Sequence, residues 1–192
     1  LNLTVKKEEI VRFSLVPRVH HAMKMFSRTT GFLALAAWLC IGSALAAGHP
    51  VVEVCSFRAY VNDPDPKGLN VRVGPSSTDS VIGVIREPDV DVRVTAARGS
   101  WLRISRAESV EGSILFQGEG WVYAPLTAVT SRYRVTLRTL PDAGSPAVAV
   151  MPAEEEGKIL GCKGEWVKVR FRGKEGWMAP DSHCGSPVTT CP

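Results

Sequence analysis

Residues 68–75 read GLNVRVGP, and residues 135–141 read VTLRTLP. Each segment places an apolar residue, an Arg, another strand-former and a Pro in the same order. Each is followed by Gly-x-Trp and then by Gly-Trp: Trp101 and Trp121 after the first, Trp166 and Trp177 after the second. Self-similarity of this kind constrains a short chain strongly, because each copy must be a supersecondary unit of the same kind. Aligned, Val71-Arg72 falls on Leu137-Arg138, Pro75 on Pro141, Trp101 on Trp166 and Trp121 on Trp177. The first copy carries about nine extra residues within 106–120, RAESVEGSILFQGEG; the second turns there through Arg172-Gly173-Lys174-Glu175.

The copies are written in short alternating segments. Leu69-Asn70-Val71-Arg72-Val73, Val90-Asp91-Val92-Arg93-Val94, Trp101-Leu102-Arg103-Ile104 and Trp121-Val122-Tyr123 belong to the first; Val135-Thr136-Leu137-Arg138-Thr139, Trp166 through Phe171 and Gly176-Trp177-Met178 belong to the second. Period-two alternation, Val and Trp enrichment and frequent Gly, Pro or Asp breaks predict half-buried antiparallel strands. No run of helical period is long enough to predict a helix, so the expected class is all-β with two small barrels. Copy one is expected over residues 55–130, with its hairpin insertion at 106–120, and copy two over 131–184, leaving 185–192 as a tail. No Gly/Ser linker separates them, and residues 127–132 are too short for wide swinging, so the barrels should touch.

LNVRVGPSSTDSVIGVI, GSWLRI and GEGWVYAPL together resemble the bacterial SH3 (SH3b) family. The first copy matches closely apart from the insertion. The second departs from the pattern, with Leu140 for the Gly before the Pro and Thr136 for Asn70, but its end, GEWVKVRFRGKEGWMAP, is again close. The resemblance implies small, strongly bent β-barrels in tandem, a setting in secreted bacterial proteins, and a ligand in the cell wall or envelope.

The residues before the first copy read differently. Residues 1–22 lack an initiator Met and any clear apolar period, and suggest an upstream start, with Met23 or Met25 the true one. Lys24 and Arg28, an uncharged apolar stretch at 31–41, and Gly42-Ser43-Ala44-Leu45-Ala46 then lay out a secretory signal peptide over 23–47, cleaved near Ala46 or Ala47. An uncleaved anchor is the alternative, since residues 31–47 approach spanning length. The leader holds six of the 23 Lys and Arg and two of the 19 acids, so 17 of each follow it and the exported part is formally neutral. No basic stripe remains to argue for nucleic acid or an anionic membrane.

Catalytic chemistry is scarce after the leader. The only His residues there are His49, at the cleavage junction, and His183, in the tail; neither is placed to activate a nucleophile. Glu154-Glu155-Glu156 reads as a solvated loop run, and no phosphate loop or dinucleotide fingerprint occurs. Asp63-Pro64-Asp65-Pro66 reads as a stiff turn rather than a calcium loop, and adjacent His183-Cys184 is poor zinc-ligand spacing. No enzyme activity, metal or cofactor is expected.

Four cysteines outlast the leader: Cys55, Cys162, Cys184 and Cys191. An even count in an exported pair of small barrels argues for disulfides. Four cysteines allow three pairings, and Cys55, alone in the first copy, would in any full pairing tie the copies together. The favoured arrangement joins Cys55 to one tail cysteine and Cys162 to the other.

The functional expectation is an exported, non-catalytic binding protein, periplasmic or secreted, recognising peptidoglycan or another envelope component. A structural adaptor for another exported protein is the alternative, as is an accessory subunit of a cell-wall hydrolase. Trp101, Trp121, Trp166 and Trp177 are expected to cover thin barrel cores, and Arg72 and Arg138 to solvate strand faces. The ligand groove is placed on the first barrel at Tyr60, Asn70, Arg72, Phe116 and Tyr123, with Phe116 as a cap on the core the competing reading. Ile114-Leu115-Phe116 is an apolar run inside the extra loop, and exposed apolar patches mark binding.

Overall fold

The computed structural model describes residues 51–186; the leader at 1–22 and 23–47, His49, and the tail from 187 with Cys191 lie outside the described residues. Thirteen strands account for most of the described chain: β1 (Glu53–Val61), β2 (Leu69–Arg72), β3 (Val81–Ile85), β4 (Asp91–Arg98), β5 (Trp101–Glu108), β6 (Ile114–Tyr123), β7 (Thr127–Ser131), β8 (Val135–Arg138), β9 (Ala147–Met151), β10 (Glu156–Lys163), β11 (Trp166–Phe171), β12 (Lys174–Met178) and β13 (His183–Cys184). Among the described residues the single helical element is a 3-10 turn, Ala124–Leu126.

The strands form one hydrogen-bonded path, β3-β2-β6-β5-β4-β1-β7-β10-β11-β12-β8-β9, with β13 added on β7. From its outer edge inward, the first copy runs β3, β2, β6, β5, β4, β1, and the second runs β9, β8, β12, β11, β10, β7. The second is the first advanced by six strands. The advance extends to the closing strand, since β1 pairs with β7 and β7 with β13. Thus β7 both closes the first barrel, as Tyr60↔Ala128 and Val61↔Thr127, and opens the second, as Glu156↔Thr130 through Lys158↔Ala128. Residues 127–132, read from sequence as a short connection, are mostly a strand that both barrels share.

Strand parity assigns the core. Leu102, Val122, Val167 and Met178 are fully buried, and each directly follows a Trp. Side chains alternate across a strand, so Trp101, Trp121, Trp166 and Trp177 point outward and are only half-buried. This corrects their expected place in the core: aliphatic residues fill it, led by Leu69, Ile85, Leu102 and Ile104 in one barrel and Leu137, Met151, Ile159 and Met178 in the other.

The repeated Gly-Trp has a steric cause. A Cβ on Gly120 would stand 2.3 Å from Val71 Cγ1, and one on Gly176 would stand 2.8 Å from the Leu137 Cβ. The bent sheet crosses itself there, and only Gly leaves room. The repeated Arg also has a structural task. Arg72 Nη1 donates to the Asp79 carbonyl and Arg138 Nη1 to the Ser145 carbonyl, each at 2.7 Å, pinning the turn after its own strand. Arg72 stands opposite Trp121 and Arg138 opposite Trp177 in the cross-strand register. Where the second copy has lost the motif Gly, the buried Ser145 hydroxyl bonds both the Leu140 N–H and the Leu140 carbonyl, and so holds the turn by side chain.

The extra residues of the first copy extend the β5–β6 hairpin as paired strand, with Ala107↔Phe116 and Glu108↔Ile114, rather than forming a loose loop. The hairpin turns over residues 109–113, where the Ser109 N–H donates to the Ser113 carbonyl. At Asp63 to Lys67 the carboxylates of Asp63 and Asp65 accept backbone N–H groups two residues on, the Asx-turn geometry of a stiff turn.

The seam is joined covalently. Cys55 and Cys162 form a disulfide across 107 residues of chain, and Cys184 is disulfide-bonded as well. This corrects the expected pairing of Cys55 and Cys162 with tail cysteines. β7 separates β1 from β10 over most of the seam, but the start of β1 meets the chain just past β10 directly. The Ser56 N–H donates to the Gly164 carbonyl and the Gly164 N–H to the Val54 carbonyl, which places Cys55 within reach of Cys162. The acidic run is also engaged rather than freely solvated. Glu155 pairs with Arg172 at 2.8 Å, and Glu156 accepts the Tyr60 hydroxyl at 3.1 Å.

Candidate ligand cleft on the first barrel

β5 and β6 end in register, so Trp101 faces Tyr123 across the hairpin. Their ring centroids are 5.5 Å apart with planes tilted by 60°, a favourable spacing for an aromatic pair. The rings wall a cleft of about 550 Å³, whose other lining includes Asn70, Arg72, Pro75 and Ser76. Leu69, buried on β2, and Leu126, on the 3-10 turn, add apolar surface.

Each wall has a local cause. Asn70 and Arg72 are the outward residues of a strand whose inward ones are Leu69 and Val71. Pro75 and Ser76 stand in the turn that Arg72 pins. Tyr123 is brought in by one additional residue: the first copy reads Trp121-Val122-Tyr123-Ala124-Pro125, the second Trp177-Met178-Ala179-Pro180. Val167 stands opposite Met178, so continuing that register sets Ala179 opposite Trp166 where the first barrel has Tyr123. The aromatic pair therefore belongs to the first barrel.

Asn70, Arg72 and Tyr123, three of the groove residues expected from sequence, are together in this cleft. Tyr60 is not with them. It is 2% exposed at the seam, and burial pushes its hydroxyl well above the ordinary phenol pKa. Tyr60 alternates with the core residues Ala59 and Val61 on β1, so its ring leaves the core. It is covered at the seam and bonded to Glu156 rather than open to the cleft. Phe116 does not line the cleft either. It lies against Gly83 and Gly120, where an added Cβ would meet its ring at 3.3 and 3.0 Å, and it packs on the core. The competing reading, a cap on the barrel, describes its surroundings. Trp101 was assigned elsewhere from sequence, although the inward parity of Leu102 was a signal that its ring faces out.

The cleft carries aromatic faces, an amide, a guanidinium and hydroxyls, a set suited to holding a ligand by stacking and directional hydrogen bonds. Arg72 uses Nη1 on the Asp79 carbonyl, which fixes the guanidinium at the cleft wall.

Two family models for the bacterial SH3 domain match the chain, one over residues 65–128 and the other over 134–183. The chain is a tandem of two bacterial SH3 domains. The cleft lies on the first of them, and the shared strand β7 runs from its matched segment toward that of the second. The solved structures of NlpC2 and NlpC1 from Trichomonas vaginalis are similar over 67% of this chain, at 11% and 12% identity and a TM-score of 0.28 for each. The similar region covers 47% and 45% of those chains, so the tandem spans less than half their length. No curated protein matches the sequence.

Proposed function

We propose that this tandem is an exported, non-catalytic binding protein whose first SH3 domain holds a component of the bacterial cell envelope, peptidoglycan or an envelope protein, in the Trp101–Tyr123 cleft. The observation that carries the reading is the aromatic pair beside Arg72 and Asn70. A stem peptide or an exported protein segment could lay apolar groups on the rings and present a carboxylate or carbonyl to the guanidinium. Export is supported by the layout of residues 23–47 and by the disulfides, which persist in oxidising compartments.

The adaptor reading has an observation of its own. Ile82 and Ile114 are 48% and 51% exposed beside Phe116 on the first barrel, an apolar surface that suits a protein partner more than a glycan. Pull-down of the exported chain on purified sacculi separates the two. Retention that Trp101→Ala and Tyr123→Ala abolish supports the wall ligand; no retention on sacculi removes it. Intact-mass analysis of exported protein is expected to give an N-terminus at Ala47 or Gly48, and a membrane-retained chain that keeps residues 32–45 would refute the leader reading.

A further inference from the structure

A second concavity, of about 350 Å³, opens where the two domains meet and shares no lining residue with the aromatic cleft. Ser56 and Arg58 reach it from β1, Glu165 from the β10–β11 turn, and Arg132, Asp181 and His183 from the segments flanking β7 and β13. Its volume lies at the lower end of the roughly 300–1,000 Å³ of small-molecule sites, which favour domain interfaces. The walls are held firmly in place. The Ser56 N–H donates to the Gly164 carbonyl and the Arg132 N–H to the Ser182 carbonyl, each at 3.0 Å; His183 pairs with Ser131, and the Cys55–Cys162 disulfide binds the seam.

The charges around this cavity are partly committed. Arg58 is held by Asp91 at 2.8 Å. His183, expected in a loose tail, stands in β13 with its ring edge-on to Phe57 at 5.8 Å; burial lowers its pKa, so it adds no charge at neutral pH. Arg132, Asp181 and Glu165 line this same cavity beside the imidazole. Among the described residues the Arg132 side chain reaches only the Asp181 carbonyl, at 3.5 Å. The Glu165 and Asp181 carboxylates have no hydrogen-bond or ion-pair partner among the described residues. One cation and two anions are left facing a preformed hollow.

We propose that the seam is a second ligand site, for a small amino acid with a basic side chain: Arg132 takes the carboxylate, and Glu165 and Asp181 take the two cationic groups. Each contact is charge-assisted and directional, and a molecule lacking either end leaves part of the set unanswered.

The test is an amide NMR titration of the exported, disulfide-bonded chain with L-lysine, 1,5-diaminopentane and hexanoate. Lysine is expected to give saturable shifts at Ser56, Glu165, His183 and Gly185. The diamine, without a carboxylate, and the acid, without an amine, should bind roughly tenfold more weakly or worse, as expected when a hydrogen bond to a charged group is lost. Arg132→Ala should abolish the advantage of lysine over the diamine, and Glu165→Gln should weaken both amines. All three uncommitted residues are exposed, so the dispersed spectrum should survive these changes. Shifts from lysine that do not saturate, that match those from equal ionic strength of NaCl, or that fall on Trp101 and Tyr123 instead would overturn the proposal. Because the seam shares no residue with the aromatic cleft, retention on sacculi should be the same for Arg132→Ala and the unaltered chain, so either idea can fail alone.

Discussion

Tyr60 of β1 donates its hydroxyl to the Glu156 carboxylate of β10 at 3.1 Å, a bond from one SH3 domain to the other across 96 positions of sequence. It sits where β7 lies between these strands, bonded to both. The domains are therefore parts of one sheet: the second has no opening strand without the residues that close the first. A chain cut after β7 leaves β8–β13 without a neighbour for β10, and one cut before it leaves β1 unpaired on that side. Single-transition unfolding follows from this arrangement. Tandem domains on a flexible linker would instead melt separately.

The disulfide adds a covalent constraint to the same seam. Closing 107 residues removes chain entropy from the unfolded state worth about 4–5 kcal/mol in the loop-closure model. The double variant Cys55→Ala/Cys162→Ala should lose stability of that order in denaturant melts. Non-reducing peptide mapping should recover Cys55 linked to Cys162. Cys55 recovered on a peptide containing Cys184 or Cys191 would contradict the seam geometry.

The Gly-Trp pairs give a sharper packing test. Gly120→Ala and Gly176→Ala push a methyl into Val71 and Leu137. Overpacking of this kind costs about 1–3 kcal/mol. Gly161, also buried, has nothing nearer than 4.0 Å to an added Cβ, so Gly161→Ala should leave the thermal midpoint nearly unchanged. Equal midpoints for all three variants would show that the strand crossing is looser than these distances.

Much of this was legible beforehand because the repeat is written in residues with steric duties. Arg pins a turn, Gly admits a crossing strand, and Trp stands on the outer face of each strand that carries it. What stayed hidden depends on relations between strands. The sequence of β7 looks like a connection because its two pairing partners, β1 and β10, are remote in sequence. The disulfide could not be chosen among three pairings without knowing that the start of β1 bridges Gly164, just past the end of β10. Tyr60 and Tyr123 are both aromatic residues near strand ends, and nothing in spacing tells that one faces the seam and the other the cleft. The apolar run around Phe116 looked like a loop because the hairpin extension is longer than its counterpart.

His183 makes stability depend on pH. Burial depresses its pKa in the folded chain, whereas the unfolded value is near 6.5. The unfolded chain therefore takes up the proton first as pH falls. Stability is fully present above about pH 6.5 and is lost as pH falls toward the lower folded value. Burial raises the pKa of Asp91, a shift of opposite sign, so the imidazole's share is read from thermal melts between pH 8 and 5 of the unaltered chain against a His183 variant. His183→Gln should flatten the profile in that window. An unchanged slope would place the titrating group elsewhere.

The cleft assignment turns on Tyr123 and Phe116, which the sequence grouped and the fold separates. Tyr123 is 41% exposed and paired with Trp101, so Tyr123→Ala removes half of an aromatic wall and little of the core. It should abolish retention on sacculi while moving the thermal midpoint by no more than a few degrees. Phe116 packs over Gly83 and Gly120 against the core. Full burial of a Phe makes truncation to Ala cost about 3–5 kcal/mol, and a half-buried ring should cost a fraction of that. Phe116→Ala should therefore lower the midpoint measurably and leave retention intact in the cold, where the fold persists. Trp101→Ala should follow Tyr123→Ala in binding, because either ring alone leaves the ligand one face to lie on. The reverse pattern, with binding lost by Phe116→Ala at full foldedness and kept by Tyr123→Ala, would move the site to the extended hairpin and its exposed Ile114. That outcome would favour a protein partner over the wall.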